Sequence, residues 1–214
     1  MVQSTIKNII LDFGGVLLNI DYNKTIEAFK QLGIPHFEKM YAQLHQTDLF
    51  NQFEKGEISK EQFIEELKSF LPTNITDDAI VHAWNAMLLN FPKERLDLLL
   101  HLKQNYNLVL LSNTNFIHIE QFNLNLYSEH GISSLKPFFQ TIYFSCEMGM
   151  KKPDIEIFLE VCLKEDFLPS ETLFIDDSPQ HIEGALRAGI NAYLLDTKKE
   201  NIIELLHRLQ LIKK

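Results

Sequence analysis

Five short apolar runs punctuate the chain: Ile6 to Leu11, Leu108 to Leu111, Thr141 to Phe144, Thr172 to Ile175 and Ala192 to Leu195. Each has strand length and is rich in Val, Ile, Leu, Phe or Tyr, the composition of buried strands. From the second run onward, amphipathic helical patterns fall between them, at Glu94 to Gln104, Ile155 to Lys164 and Gln180 to Ala188. Strand and helix in alternation predict a parallel sheet joined by crossover helices. Gly189 stands just past the third helix, where the chain needs a residue that accepts positive φ. Apolar residues at helical spacing from Lys199 to Leu211 predict a closing helix.

The interval from about Asn23 to Asn90 breaks this rhythm. It contains no clear strand run, and several helical stretches follow one another, so a helical insertion between the first and second strands is expected. Ser59 with Gln62 forms a capping box that opens a helix through Leu67 or beyond, and Gly56 suits the turn before it. Pro72-Thr73-Asn74 breaks the chain. Thr76 then caps a further helix containing Ala79, Ile80, Ala83, Trp84 and Met87. Such an insertion is the natural lid over the strand ends.

Polar residues close four of the predicted strands. Asp12 ends the first and is followed by Phe13-Gly14-Gly15. Ser112-Asn113-Thr114 ends the second, Lys151-Lys152-Pro153-Asp154 follows the third, and Asp176-Asp177 ends the fourth. Each has a structural reading: a glycine turn after Asp12, a helix cap at Ser112 and Asn113, a solvated lysine turn, and an N-cap at Asp177 before Pro179. In a parallel sheet, however, all four converge on one edge, where open α/β sheets bind ligands. Phosphoryl-transfer chemistry fits the set. Three acids can hold Mg2+, a hard cation that prefers oxygen ligands. A carboxylate can attack phosphorus, while a lysine and a serine hydroxyl hold phosphoryl oxygens. Asp12-Phe13-Gly14 also resembles the metal-binding triplet of protein kinases, but the glycine-rich loop and catalytic-loop motif are missing, which rejects that reading.

Composition narrows the picture. The 214 residues, 45% of them hydrophobic, suffice for a core domain carrying a smaller insertion. A formal net charge of −9 argues against nucleic-acid or anionic-membrane partners, both of which need basic patches. Cys146 and Cys162 lack metal-ligand spacing and read as ordinary thiols of a reducing compartment. No stretch of about 20 apolar residues and no leader-like amino terminus is present, so a cytoplasmic location is expected. Oligomeric state is not legible.

Ile10-Leu11-Asp12-Phe13-Gly14-Gly15-Val16-Leu17, Leu111-Ser112-Asn113, Gly149-Met150-Lys151-Lys152-Pro153-Asp154 and Phe174-Ile175-Asp176-Asp177 resemble, in order, the four motifs of haloacid dehalogenase-like hydrolases. The resemblance implies a doubly wound, Rossmann-like parallel core over residues 1–20 and 91–214, with an all-helical cap inserted at 21–90. Phe53 to Ser59, Ser112 to Asn115 and Ile182 to Ala185 further resemble sugar-phosphate phosphatases of the glucose-1-phosphate phosphatase type. The family pattern implies an Mg2+-dependent phosphatase of a small phosphorylated metabolite, with Asp12 as the nucleophile that becomes an aspartyl-phosphate. Ser112, Asn113 and Lys152 would bind the transferring phosphoryl group. Asp12, the Gly14 carbonyl, Asp176 and Asp177 would hold the metal.

One departure is evident. Most phosphatases of the family carry a second aspartate, a general acid and base, at the position of Gly14. Asp21 and His45 are candidate substitutes, and a leaving group of low pKa would need less protonation. The departure keeps two alternatives open: dehalogenation, which also lacks that acid but needs no metal, and a weakly catalytic phosphate-binding regulator. Adjacent Asp176 and Asp177 favour the metal-dependent reading, since without a cation they would set uncompensated charge beside the nucleophile. A phosphomutase is disfavoured, because it relies on the missing acid.

Overall fold

The computed structural model describes residues 6–34, 36–39, 48–72 and 74–213. Strands β1 (Asn8–Leu11), β2 (Asn107–Ser112), β3 (Thr141–Phe144), β4 (Thr172–Asp176) and β5 (Asn191–Leu194) form one parallel sheet in the order β3-β2-β1-β4-β5. The chain starts at the centre, winds outward through β2 and β3, then returns to build β4 and β5 on the other side of β1. That reversal beside β1 opens a crevice at the carboxyl ends of the strands.

Helices α1 (Tyr22–Gln31), α2 (Leu49–Glu54), α3 (Lys60–Lys68), α4 (Asp77–Asn85) and α5 (Lys93–Asn105) lie between β1 and β2. Helix α6 (Phe116–His130) leads to β3, α7 (Ser145–Met148) and α8 (Ile155–Glu165) lead to β4, α9 (Pro179–Arg187) leads to β5, and α10 (Ile202–Arg208) follows. Alternate strand residues face opposite sides of the sheet. Ile9, Leu11, Leu108, Leu110, Leu173 and Ile175 pack in one apolar cluster with α5, α6 and α10, while Ile10, Val109, Leu111 and Phe174 pack in another with α8 and α9. The sheet is therefore covered on both faces, as its unbroken apolar runs predict. No helix among the described residues is long and apolar enough to cross a membrane.

A separate aromatic cluster forms among the helices between β1 and α5. Phe29 stacks on Phe37 and Phe53 on Phe63, each at 4.1 Å, and Phe50 and Trp84 join them. Ile117 of α6 belongs to the same cluster and ties it to the sheet. Ser59 and Gln62 make the expected capping box on α3, and Thr76 caps α4 through Ala79 N. The two chain crossings into this region pair antiparallel: Leu89 N donates to Asn19 O at 2.9 Å, and Asp21 N to Met87 O at 2.9 Å.

The structure corrects the pattern reading in three places. Helix α4 stops at Asn85, so Met87 lies beyond it, its backbone N–H held by Thr25 Oγ1 at 3.2 Å. The 15-residue α6 was not legible, because Ile117, Phe122 and Leu126 are buried while Phe116, Leu124 and Tyr127 are exposed, leaving no clean apolar face. The closing helix spans only Ile202–Arg208, opened by Asn201 in its own capping box with Glu204.

Candidate active site

The loop after β1 is built to present Asp12. Asp12 N continues the ladder to Ile175 O at 3.0 Å, which sets Asp12 level with Asp176 across the two central strands. The Phe13 ring packs 4.8 Å from Phe122 and 5.9 Å from Phe91, anchoring the turn, while Leu17 N and Leu18 N both donate to Phe13 O. Gly15 has φ +79, and a Cβ there would lie 2.1 Å from Asp177 Oδ2, so both conformation and space demand glycine. Gly14 needs no such conformation. A Cβ at position 14 would meet Ile20 Cδ1 at 3.3 Å, so an apolar side chain borders the space where the family's acid would sit.

Lys152 is fully buried at the centre of the cluster. Its Nζ donates to Asp12 Oδ1 at 2.5 Å, Asp176 Oδ2 at 2.7 Å and Leu111 O at 2.9 Å, which uses all three of its protons. Asn113 fixes the lysine backbone from both sides, donating to Lys152 O at 2.8 Å and accepting from Lys152 N at 2.9 Å. Helix α9 closes against the same loop through Gly184, where a Cβ would stand 2.3 Å from Pro153 O. Asp176 Oδ1 accepts from Ser178 N at 2.8 Å, and His181 Nδ1 lies 2.9 Å from Asp176 Oδ2.

Ligand oxygens of Asp12, Asp176 and Asp177 lie within 4.8 Å of one another. One lysine cannot neutralise three carboxylates at that range, and the electrostatics record the shortfall. Burial, with Asp176 and Asp177 nearby, raises Asp12 to about 7 despite Lys152. Burial and Asp176 also raise Asp177. At Asp176 burial pushes upward too, but Lys152 and His181 outweigh it and hold the group at about 2. Burial works against the Lys152 ammonium, yet its two carboxylate partners raise it overall. A divalent cation among the three acids would relieve this excess, and an all-oxygen donor set suits Mg2+. Asp12, Asp176 and Asp177 are the side chains grouped to hold it.

A cavity of about 200 Å³ opens between the helices before α5 and the loop after β2, and it reaches the site through Asn113, which holds the Lys152 backbone. Asn113, Thr114, Asn115 and His118 line one side, and Thr25, Phe50, Glu54 and Trp84 line the other. Phe50, Trp84 and His118 stack successively at 5.4 and 5.6 Å. His118 Nε2 lies 3.3 Å from Trp84 O, which can only accept, so that nitrogen carries the proton and Nδ1 accepts from Asn115 Nδ2 at 3.1 Å. Burial lowers His118 to about 4 and keeps it neutral. Thr25 Oγ1 donates to the same Trp84 carbonyl at 3.1 Å.

Asp12, Lys152, Asp176 and Asp177 thus come together, and Ser112 closes β2 at the same edge, buried. Asp177 is not the cap of α9; Ser178 holds that position. Asp21 caps α1 through Asn23 N and lines a wide groove that also reaches Gly15 and Asp177, rather than the smaller cavity. His45 lies outside the described residues. Sequence reasoning gave no role to Asn115, His118, His181 or Glu54, although Asn115 and Glu54 fall within the stretches that resemble sugar-phosphate phosphatases. Asn115 was readable as a cap three residues before His118 N, but the others act through contacts between distant segments.

The profile of haloacid dehalogenase-like hydrolases matches residues 6–189. The chain belongs to that family. A D-ribitol-5-phosphate phosphatase from Bacteroides thetaiotaomicron is 32% identical over 188 residues, covering 88% of this chain and 91% of the relative. A solved enzyme of the family from the same species, in complex with magnesium and inorganic phosphate, shares 37% identity with a TM-score of 0.85, covering 94% of this chain and 98% of its own. A HAD-like hydrolase structure from Porphyromonas gingivalis shares 34% identity with a TM-score of 0.85, covering 98% of this chain and all of that one. This chain is accordingly a HAD-like hydrolase on an α/β, Rossmann-like core.

Proposed function

We propose that this hydrolase is a magnesium-dependent phosphatase of a small sugar or polyol phosphate, working through an aspartyl-phosphate on Asp12. The observation that carries the reading is the cluster of three carboxylates around one buried lysine, with all four groups held at the crevice of the sheet. The likeness to a D-ribitol-5-phosphate phosphatase, and to an enzyme holding magnesium and phosphate, supports the substrate class and the metal.

In this reading the ionised Asp12 carboxylate attacks phosphorus in line with the departing alkoxide, and water later hydrolyses the acyl phosphate to return the carboxylate. Ser112 binds a phosphoryl oxygen, and Lys152 balances the charge of Asp12 and reaches the phosphoryl group by turning one of its three donors away from its present acceptors. Asn113 positions Lys152 through its backbone. Asp12, the Gly14 carbonyl, Asp176 and Asp177 would hold Mg2+, which would supply charge neutralisation for the phosphoryl group. Residues 21–90 form a cap that excludes water from the crevice, with residues 1–20 and 91–214 as the core. Without an acid at Gly14 the leaving oxygen departs with less help, and general acid–base catalysis is worth about 10²–10⁴-fold. The same glycine favours dehalogenation, but that reaction needs no metal and so gives Asp176 and Asp177 none to hold.

The test is phosphate release from ribitol 5-phosphate and a panel of sugar phosphates, with Mg2+ or with a chelator. Metal-dependent release by the native chain, lost in Asp12→Asn, is expected. Release that survives either the chelator or the substitution would overturn the proposal.

A further inference from the structure

Glu54 is the one charged side chain among the described residues lining the cavity, since the buried His118 is neutral. It stands at the end of α2, and its Oε2 accepts from Lys151 Nζ at 2.5 Å. Lys151 also donates to Asn51 Oδ1, one turn back on the same helix, at 2.7 Å. Lys151 does not line the cavity, although it immediately precedes the site lysine Lys152. The cation paired with Glu54 is therefore held by two partners on α2, outside the cavity that Glu54 lines.

The contact is built into the seam between the helical region and the sheet. A Cβ on Gly56, two residues past Glu54, would lie 2.0 Å from Cys146 O, so backbone meets backbone there. Lys55 pairs with Asp154 at 3.7 Å, and Lys60 with Glu120 at 2.6 Å. The Gly56 and Lys55 contacts hold the end of α2 against α7 and the loop that carries Lys151 and Lys152, and the Lys60 pair joins α3 to α6. The rest of the cavity lining is aromatic, aliphatic, hydroxyl or amide.

We infer that Glu54, with Lys151 locked to it, is a specificity determinant that excludes a second anionic group from the leaving-group cavity. It thereby restricts the enzyme to phosphate esters of small neutral polyols. The inference rests on the phosphatase reading and deepens it. A substrate carboxylate entering the cavity meets a like charge and gains a cation only by breaking the Lys151–Glu54 pair. A hydroxyl at the same place meets an acceptor, because an ionised carboxylate has capacity beyond the one bond that Lys151 takes. Like-charge juxtaposition in a partly desolvated site is an efficient way to reject the wrong ligand.

Ribitol 5-phosphate and ribonate 5-phosphate differ only in a terminal hydroxymethyl replaced by carboxylate, so the ratio of their kcat/KM values isolates that charge. With Mg2+ present, the native chain is expected to prefer the polyol by at least about tenfold. Glu54→Gln leaves the Lys151 charge uncompensated and should shrink that ratio by about tenfold. Adding Lys151→Met to Glu54→Gln should restore only part of it, because the freed cation is gone but the repelling carboxylate is still missing. Each ratio compares two substrates on one protein, so partial loss of folded enzyme cancels. Equal use of both substrates by the native chain, or a ratio unmoved by Glu54→Gln, overturns the inference and leaves the phosphatase reading intact. Turnover of neither overturns that reading and this one with it.

Discussion

At the scale of single residues, Lys152 organises the site more than any other group. It is fully buried and holds Asp12, Asp176 and the Leu111 carbonyl with its three protons. Lys152→Met would leave two buried carboxylates facing each other, and breaking a buried pair in this way typically costs about 3–5 kcal/mol. Urea denaturation with chelator present should show that loss, and Mg2+ should recover part of it by taking over the lysine's charge balance. Unchanged stability would contradict the arrangement. Gly15→Ala tests the metal side. Its Cβ would collide with Asp177 Oδ2, so half-maximal activity should require more Mg2+ while the substrate KM moves less. At this scale the sequence was highly legible. Asp12, Ser112, Lys152, Asp176 and Asp177 were readable because a parallel sheet brings the carboxyl ends of its strands, with the loops that follow them, to one edge. Asn113 was readable as a member of the set, but its grip on the Lys152 backbone depends on two loops meeting and leaves no trace in spacing.

At the scale of elements, the stack of Phe50, Trp84 and His118 joins the helices of the insertion to α6. His118 bonds the Trp84 carbonyl in its neutral form, and burial lowers it to about 4 from 6.5. The folded state therefore binds fewer protons than the unfolded chain, so this contribution is complete above pH 6.5 and is lost as pH falls toward 4. The shift corresponds to about 3 kcal/mol across that window, at 1.36 kcal/mol per pKa unit. His118→Gln should flatten that part of the stability profile, and an unaltered slope would sink the assignment. Gly56→Ala should weaken the seam itself. At φ +67 and with Cys146 O in the way, it is expected to cost about 1–3 kcal/mol in thermal or urea unfolding. The Ser59 capping box, Thr76 and all five strands were readable from local pattern, with strand ends shifting by one or two residues. Helix α6 was not, because it is sandwiched between the sheet and the aromatic cluster and lacks a single apolar face.

At the scale of the molecule, a doubly wound sheet supplies a rigid floor for the charged groups. The helical insertion supplies much of the lining of the cavity. The four strand-end motifs revealed the floor, since their positions follow from chain order alone. The cavity stayed hidden, because Glu54, Trp84 and His118 meet across long sequence separations and none has a local signature. That division explains why the reaction was legible earlier than the substrate. The central claim is that Asp12 carries the phosphoryl group in the course of hydrolysis. Acid-quenching the enzyme during turnover of ribitol 5-phosphate with Mg2+, followed by mass mapping of the peptide containing Asp12, tests it directly. The account predicts that this peptide gains the mass of one phosphoryl group in the native protein and not in Asp12→Asn. Rapid phosphate release with that peptide unmodified at every quench time would contradict it.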